Sequence, residues 1–201
     1  MAKTHRVKGA AGQSGAGQLR IVAGKWRRRL LPVAAVEGLR PTAERIRETL
    51  FNWLAPVIDG AHCLDLCAGT GALGFEALSR GAGSAVLVDN SRTAVQALQQ
   101  AATLLEATDC TIVKADALQW LAAEVVRPFD IVFVDPPYAA GVLADLCRLL
   151  EQRGWLAGDA LIYLEHDRRQ LWPAVPDNWR TLKDKTAGNV RYQLLTVRAA
   201  S

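Results

Sequence analysis

Asp65-Leu66-Cys67-Ala68-Gly69-Thr70-Gly71-Ala72-Leu73-Gly74 is the segment whose reading decides the fold. The β-rich run AHCLDLC leads into it and a helical apolar pattern over 72–80 leads out, so its glycines stand at a strand-to-helix turn. Gly69, Gly71 and Gly74 also satisfy GxGxxG, a spacing that alone is weak evidence for a dinucleotide site and is met equally by a tight turn without a ligand. Glycine at such a turn lets the backbone approach a bound group where a Cβ would collide, and the following helix offers unpaired N–H groups.

Outward from this turn, short β-rich runs alternate with helical stretches. SAVLVDN, CTIVKAD, FDIVFVDPP and ALIYLEH follow AHCLDLC, with helices expected near 91–106, 116–124 and 141–152. That alternation predicts parallel strands with crossover helices on both faces. NWRTLKDK, the turn Thr186-Ala187-Gly188-Asn189 and VRYQLLTVR then predict a C-terminal antiparallel hairpin. The expected fold class is α/β, Rossmann-like, with a mostly parallel seven-stranded sheet.

Upstream, QLRIVAG and RRRLLPV flank Gly24-Lys25-Trp26 and read as a small Arg-loaded β-hairpin appended to the main fold. Thr42 is placed to cap a helix running through Trp53, with Ile46, Leu50, Phe51 and Leu54 on its apolar stripe and Arg45, Arg47 and Glu48 on polar positions. The expected organisation is a disordered basic tail over 1–17, a hairpin extension over 18–40, and one domain over 41–201.

Asp65 precedes the glycines. A carboxylate there repels a pyrophosphate and attracts a ligand carrying an ammonium and no phosphate, which favours S-adenosylmethionine over a dinucleotide. Asp89 ends the next strand 18 residues after Gly71, where an acidic side chain can take both ribose hydroxyls. Asp116 could accept the adenine amine, although an ordinary helix N-cap has the same appearance. Ala68, Gly69, Thr70 and Gly71 of the turn, Asn90 after Asp89, and Ala117 after Asp116 complete the candidate cofactor set. The sharpest signal is Asp135-Pro136-Pro137-Tyr138 after the apolar run IVFV. Two prolines fix the chain, so the Asp135 carboxylate and the Pro136 carbonyl can both face one substrate NH₂, and Tyr138 supplies a π-face for an extruded base.

With 201 residues, 50% hydrophobic and 22% charged, the chain can bury a full core, which excludes disorder throughout. The net charge of +4 is uneven: residues 1–48 carry 11 Lys/Arg against 3 Asp/Glu, and residues 49–201 carry 13 against 17. A basic arm on an acidic body suggests nucleic acid as partner, with a membrane surface second. Arg20, Lys25, Arg27, Arg28, Arg29 and Arg40 are the candidate phosphate contacts and Trp26 a candidate stacking residue, the plainer alternative being an Arg-rich edge that discourages strand pairing. No apolar run approaches the ~20 residues of a membrane span and no signal peptide is evident, so a cytoplasmic protein is expected. Cys63, Cys67, Cys110 and Cys147 lack CxxC spacing and read as reduced core thiols, with no metal site. His62 and His166 read as structural, and Glu165 lies near the ligand edge without an assigned role.

DLCAGTGALG, VDN and DPPY in this order resemble class I S-adenosylmethionine-dependent methyltransferases that act on amino groups. RIVAGKWRRRLLPV, GLRPTAERIRETLFNWL, DPPY and GWL…ALIYLEH together resemble, over about residues 19–198, the bacterial RsmD family of 16S rRNA guanine-N2-methyltransferases. The resemblance implies S-adenosylmethionine as methyl donor, S-adenosylhomocysteine as product and no metal. It also implies one guanine of 16S rRNA as acceptor, within an assembling small ribosomal subunit, and a monomeric enzyme with Asp135, Pro136 and Tyr138 as catalytic residues. Asp89 stands where the family often has Glu, and Tyr138 where some members have Phe. The competing readings are an amino-methyltransferase acting on adenine in DNA or RNA, an NAD-dependent oxidoreductase, and a non-catalytic RNA-binding assembly factor on the same scaffold. A DNA enzyme usually needs a recognition domain for which the chain has no room, and an oxidoreductase predicts neither DPPY nor a basic arm.

Overall fold

The computed structural model describes residues 18–33, 43–123, 127–137 and 141–197. The tail over 1–17 and the candidate residues Arg40, Thr42 and Tyr138 lie outside the described residues. The elements in chain order are β1 (Gln18–Arg20), β2 (Leu30–Pro32), α1 (Glu44–Leu54), β3 (His62–Leu66), α2 (Ala72–Ser79), β4 (Ser84–Asp89) and α3 (Arg92–Leu105). Then come β5 (Cys110–Lys114), α4 (Ala117–Ala123), β6 (Phe129–Val134), α5 (Leu143–Gln152), β7 (Leu156–Asp167), β8 (Trp179–Ala187) and β9 (Val190–Val197). Seven strands form one sheet in the order β5-β4-β3-β6-β7-β9-β8, and β1 pairs antiparallel with β2 separately. β3 pairs parallel with both β4 and β6, and the chain builds outward from it in both directions, which makes the β3–β6 boundary the switch point where open sheets of this kind bind ligands. β9 runs antiparallel between β7 and β8, as the C-terminal hairpin reading requires. Gly188, at φ 60°, supplies the left-handed residue of its turn.

The strands take this arrangement because their apolar residues fill both sheet faces with period two. Cys63, Ile131, Phe133, Tyr163, Tyr192 and Leu194 point to one face, where α1, α2 and α3 pack. Leu64, Leu66, Val132, Val134, Ile162, Leu164 and Leu195 point to the other, covered by α4 and α5. Helices therefore lie on both faces, as expected.

The expected N-terminal hairpin is present as its own two-stranded sheet, and it packs into the core: Leu19, Ile21, Trp26, Leu31 and Val33 belong to the same core cluster as α1 and α2. Two expectations beside it need correction. α1 starts at Glu44, with Ala43 as flanking residue and no side-chain cap. Arg47 is no surface residue; it is 2% exposed, because α1 is buried against the hairpin and α2 and its guanidinium finds Glu76 there at 3.2 Å. α2 itself is buried on every side, lying between sheet and hairpin.

Candidate active site

Asp65, Asp89, Asp116 and Asp135 occupy or follow the carboxyl ends of β3, β4, β5 and β6, on one edge of the sheet. Asp65 is buried, and its Oδ2 accepts the Gly74 amide at 2.9 Å. Burial pushes this carboxyl up to about 7; the Gly74 bond opposes the rise and nearby Asp89 adds to it. Asp89 is half-buried, accepting the Gly69 amide on Oδ2 and the Ser91 amide on Oδ1, each at 2.8 Å. It thus ties the glycine turn to β4, while each carboxylate oxygen retains acceptor capacity beyond one bond. Asp116 is exposed and accepts the Gln119 amide at 3.0 Å, so the N-cap alternative for this residue is realised at the start of α4, where Ala117 is the first helical residue. Asn90 is exposed beside Asp89. Asp135 is half-buried, Pro136 buried and Pro137 exposed, in a segment that is neither strand nor helix.

The turn between β3 and α2 is built from left-handed residues: Cys67 at φ 67°, Gly69 at 54° and Gly71 at 74°. Ala68 and Gly69 are buried and Thr70 is half-buried within it. Two of the glycines are required by packing. A Cβ on Gly71 would lie 2.5 Å from the Phe75 ring, and one on Gly74 would lie 2.7 Å from Leu87 Cδ1 on β4. Only Gly74-sized residues let α2 rest this closely on the sheet.

Cys67 reports the electrostatics of the edge. Its thiol is pushed up to about 12, first by burial and then by Asp89, Asp65, Asp135 and Asp116. Carboxylates from four different strand ends therefore act on a single atom. A site of that sign suits a ligand bearing an ammonium and a sulfonium, and it opposes a pyrophosphate. Among the described residues there is no group of three or more His, Cys, Asp or Glu able to hold a metal ion. No helix among them is long and apolar enough to cross a membrane. The four cysteines are free.

Arg20, Lys25, Arg27, Arg28 and Arg29 are all exposed on the hairpin. Trp26 is not available as a surface stacking platform: it is 8% exposed, packed in the core, with Lys25 Nζ 4.4 Å from its ring centroid. Sequence reasoning also missed Glu76, a fully buried carboxylate on α2. The available signal was a lone acidic residue in the apolar stretch GALGFEALS. His62, at the opposite end of β3, pairs through Nδ1 with Ser84 Oγ at 2.6 Å, whereas His166, two residues past Leu164 and its β6 partner Val134, lies at the same sheet edge as Asp135 and is buried edge-on against Trp172 at 4.6 Å.

The family model described as Conserved hypothetical protein 95 matches residues 19–196. Ribosomal RNA small subunit methyltransferase D of Escherichia coli strain K12 is 50% identical over 181 residues, covering 90% of this chain and 91% of the relative. Its namesake in Haemophilus influenzae is 42% identical over 182 residues, covering 89% and 93%. The solved structure of Escherichia coli yhhF superposes with a TM-score of 0.85 at 46% identity, covering 92% of this chain and all of that one.

Proposed function

The chain belongs to the family described as Conserved hypothetical protein 95, with the ribosomal RNA small subunit methyltransferases D among its members, and from that membership we propose that it methylates the exocyclic N2 amine of one guanine in 16S rRNA, using S-adenosylmethionine. The observation that carries the cofactor assignment is the placement of Asp65, Asp89, Asp116 and Asp135 at the carboxyl ends of four adjacent strands, β5-β4-β3-β6, around the switch point of the sheet. S-adenosylmethionine supplies an electrophilic methyl group on a sulfonium. Asp65 would ionise beside the ligand's positive charge, Asp89 is assigned to the ribose hydroxyls, and the backbone of Ala68, Gly69, Thr70 and Gly71 forms the floor.

The N2 amine of guanine is a weak nucleophile because its lone pair is delocalised into the ring. Asp135 and the Pro136 carbonyl accept its two hydrogens, which turns the lone pair toward the methyl group for in-line displacement. A C–N bond forms as the C–S bond breaks, and the same acceptors stabilise the positive charge developing on nitrogen. The excess proton then leaves the nitrogen for solvent or for Asp135. Tyr138 is assigned to stacking on the extruded base. Arg20, Lys25, Arg27, Arg28, Arg29 and Arg40 are assigned to phosphates, which hold and orient the RNA without reading its sequence. The protein works as a cytoplasmic monomer on the assembling small subunit, without a metal.

Calorimetric titration with S-adenosylmethionine and, separately, NADH tests the cofactor; binding of NADH alone overturns the reading. Asp135→Ala then tests the mechanism: transfer is lost while S-adenosylmethionine affinity stays within about threefold, a loss confined to the transition state. Retained turnover removes Asp135 from the role given to it.

A further inference from the structure

Glu76 has no exposed surface and takes no part in the chemistry at the sheet edge. Its carboxylate is nevertheless fully engaged. Oε2 accepts the Val22 amide at 2.9 Å and Arg47 Nη1 at 3.2 Å, and Oε1 accepts the Ala23 amide at 3.0 Å and Arg80 Nε at 2.8 Å. Arg47 in turn donates through Nη2 to the Arg20 carbonyl at 2.9 Å. One turn further along α2, Ser79 repeats the attachment. Its Oγ accepts the Trp26 amide at 3.0 Å and donates to the Ala23 carbonyl at 2.5 Å, and its own carbonyl accepts the Lys25 amide at 2.7 Å. Gly24 permits the approach, since a Cβ there would lie 1.7 Å from the Ser79 carbonyl oxygen.

These bonds hold the backbone of residues 20–26, and that backbone leads directly into the exposed cations Lys25, Arg27, Arg28 and Arg29. The opposite end of α2 begins at Ala72, immediately after the glycine turn. α2 is about 10 Å long and buried at every residue, so its packing ties whatever is fixed to Glu76 and Ser79 to the position of Gly69 and Gly71. A buried charge is a poor way to gain stability alone, because well-packed apolar residues usually do as well; charge networks of this kind are better attested as devices that select one arrangement.

We propose that Glu76, supported by Ser79, is a positioning residue: it locks the basic hairpin in one orientation relative to the cofactor turn, so that RNA held by the hairpin meets the methyl donor in register. This rests on the reading of the hairpin as an RNA contact. Misplacement by about 1 Å costs a transfer reaction on the order of a hundredfold in rate, so the attachment acts on RNA use and not on cofactor binding.

The test compares full-length Glu76→Gln, Ser79→Ala, an Arg27→Ala/Arg28→Ala/Arg29→Ala triple variant, and the triple variant combined with Glu76→Gln. The substrate is small-subunit particles from cells lacking the gene, and S-adenosylmethionine affinity is measured by calorimetry. Glu76→Gln is expected to lower kcat/KM for RNA about tenfold or more and leave S-adenosylmethionine Kd within about twofold. Combined with the triple variant it should lose much less than the sum of the two, because a hairpin that no longer holds RNA has nothing left to orient. If Glu76→Gln does not fold, Ser79→Ala decides by the same two readouts. Unchanged RNA kinetics in both Glu76→Gln and Ser79→Ala, additive losses, or a parallel loss of cofactor affinity overturns the positioning role. A triple variant with unchanged RNA kinetics instead overturns the reading of the hairpin on which it rests.

Discussion

Replacing Asp65 by Asn should stabilise the protein at alkaline pH while weakening its hold on the cofactor. In the folded chain the Asp65 carboxyl keeps its proton up to about pH 7, because it is buried and lies near Asp89. In the unfolded chain an aspartate gives it up near pH 3.9. Between those values the folded state binds the extra proton, so this group makes stability fall as pH rises from about 4 to about 7 and leaves it flat above. A gap of about three units corresponds to at most about 4 kcal/mol. Asparagine has the same shape, cannot ionise, and still accepts the Gly74 amide now held at 2.9 Å, at a loss of about 1 kcal/mol for the weaker bond. Asp65→Asn should therefore be more stable than the parent by about 1–3 kcal/mol at pH 8 and equal to it within about 1 kcal/mol at pH 4.5. Urea denaturation of both proteins at the two pH values, without cofactor, measures the difference directly. A gap that does not change with pH, or a variant less stable at pH 8, would refute the reasoning. If the proposed cofactor assignment holds, the same substitution weakens S-adenosylmethionine binding tenfold or more, because the carboxylate assigned to the ligand's positive charge is gone.

Three further outcomes are expected. Cofactor binding near pH 6 should release about one proton as Asp65 ionises beside the ligand's positive charge, and release should vanish near pH 8.5; calorimetry in buffers of different ionisation enthalpy counts it, and no release at pH 6 contradicts the assignment. Gly74→Ala should cost about 1–3 kcal/mol, because the new methyl meets Leu87 Cδ1 at 2.7 Å and Cγ at 2.9 Å, and thermal unfolding should show a midpoint lower by about 2–4 °C for each kcal/mol. Replacing Arg27, Arg28 and Arg29 together by Ala should reduce the slope of log affinity for RNA against log salt by about 2, which a filter-binding series at several salt concentrations reads; an unchanged slope means that these cations do not meet phosphate.

The sheet was legible because its strands announce themselves twice, by apolar runs and by the residues that end them. IVFV before Asp135 and LDL around Asp65 require two covered faces, and a parallel sheet is what covers them. Strand and helix ends shifted by a few residues; β7, for instance, begins at Leu156 and not at Ala160. The N-terminal region was read less well because its burial is decided by partners far along the chain. Trp26 and Arg47 look like surface residues until Ser79 and Glu76 are placed beside them, 53 and 29 residues away. A local pattern of charge and hydropathy carries no information about such pairs. The glycines show a different limit: GxGxxG described the turn, and the left-handed φ of Gly71 belongs to it, yet the contacts with Phe75 and Leu87 that also demand Gly71 and Gly74 lie outside any local pattern. Asp116 shows a third, since a cap and a ligand contact require the same residue at the same place.

The proposed activity leaves one methyl group on one guanine. Small-subunit rRNA from cells with and without the gene, digested and mapped by mass spectrometry, shows whether that methyl group depends on the protein. A single N2-methylguanosine should be missing from the rRNA of the deleted strain and should return when the purified protein and S-adenosylmethionine are added to its particles. An identical methylation map in the two strains, or a missing methyl on adenine, contradicts the proposed function.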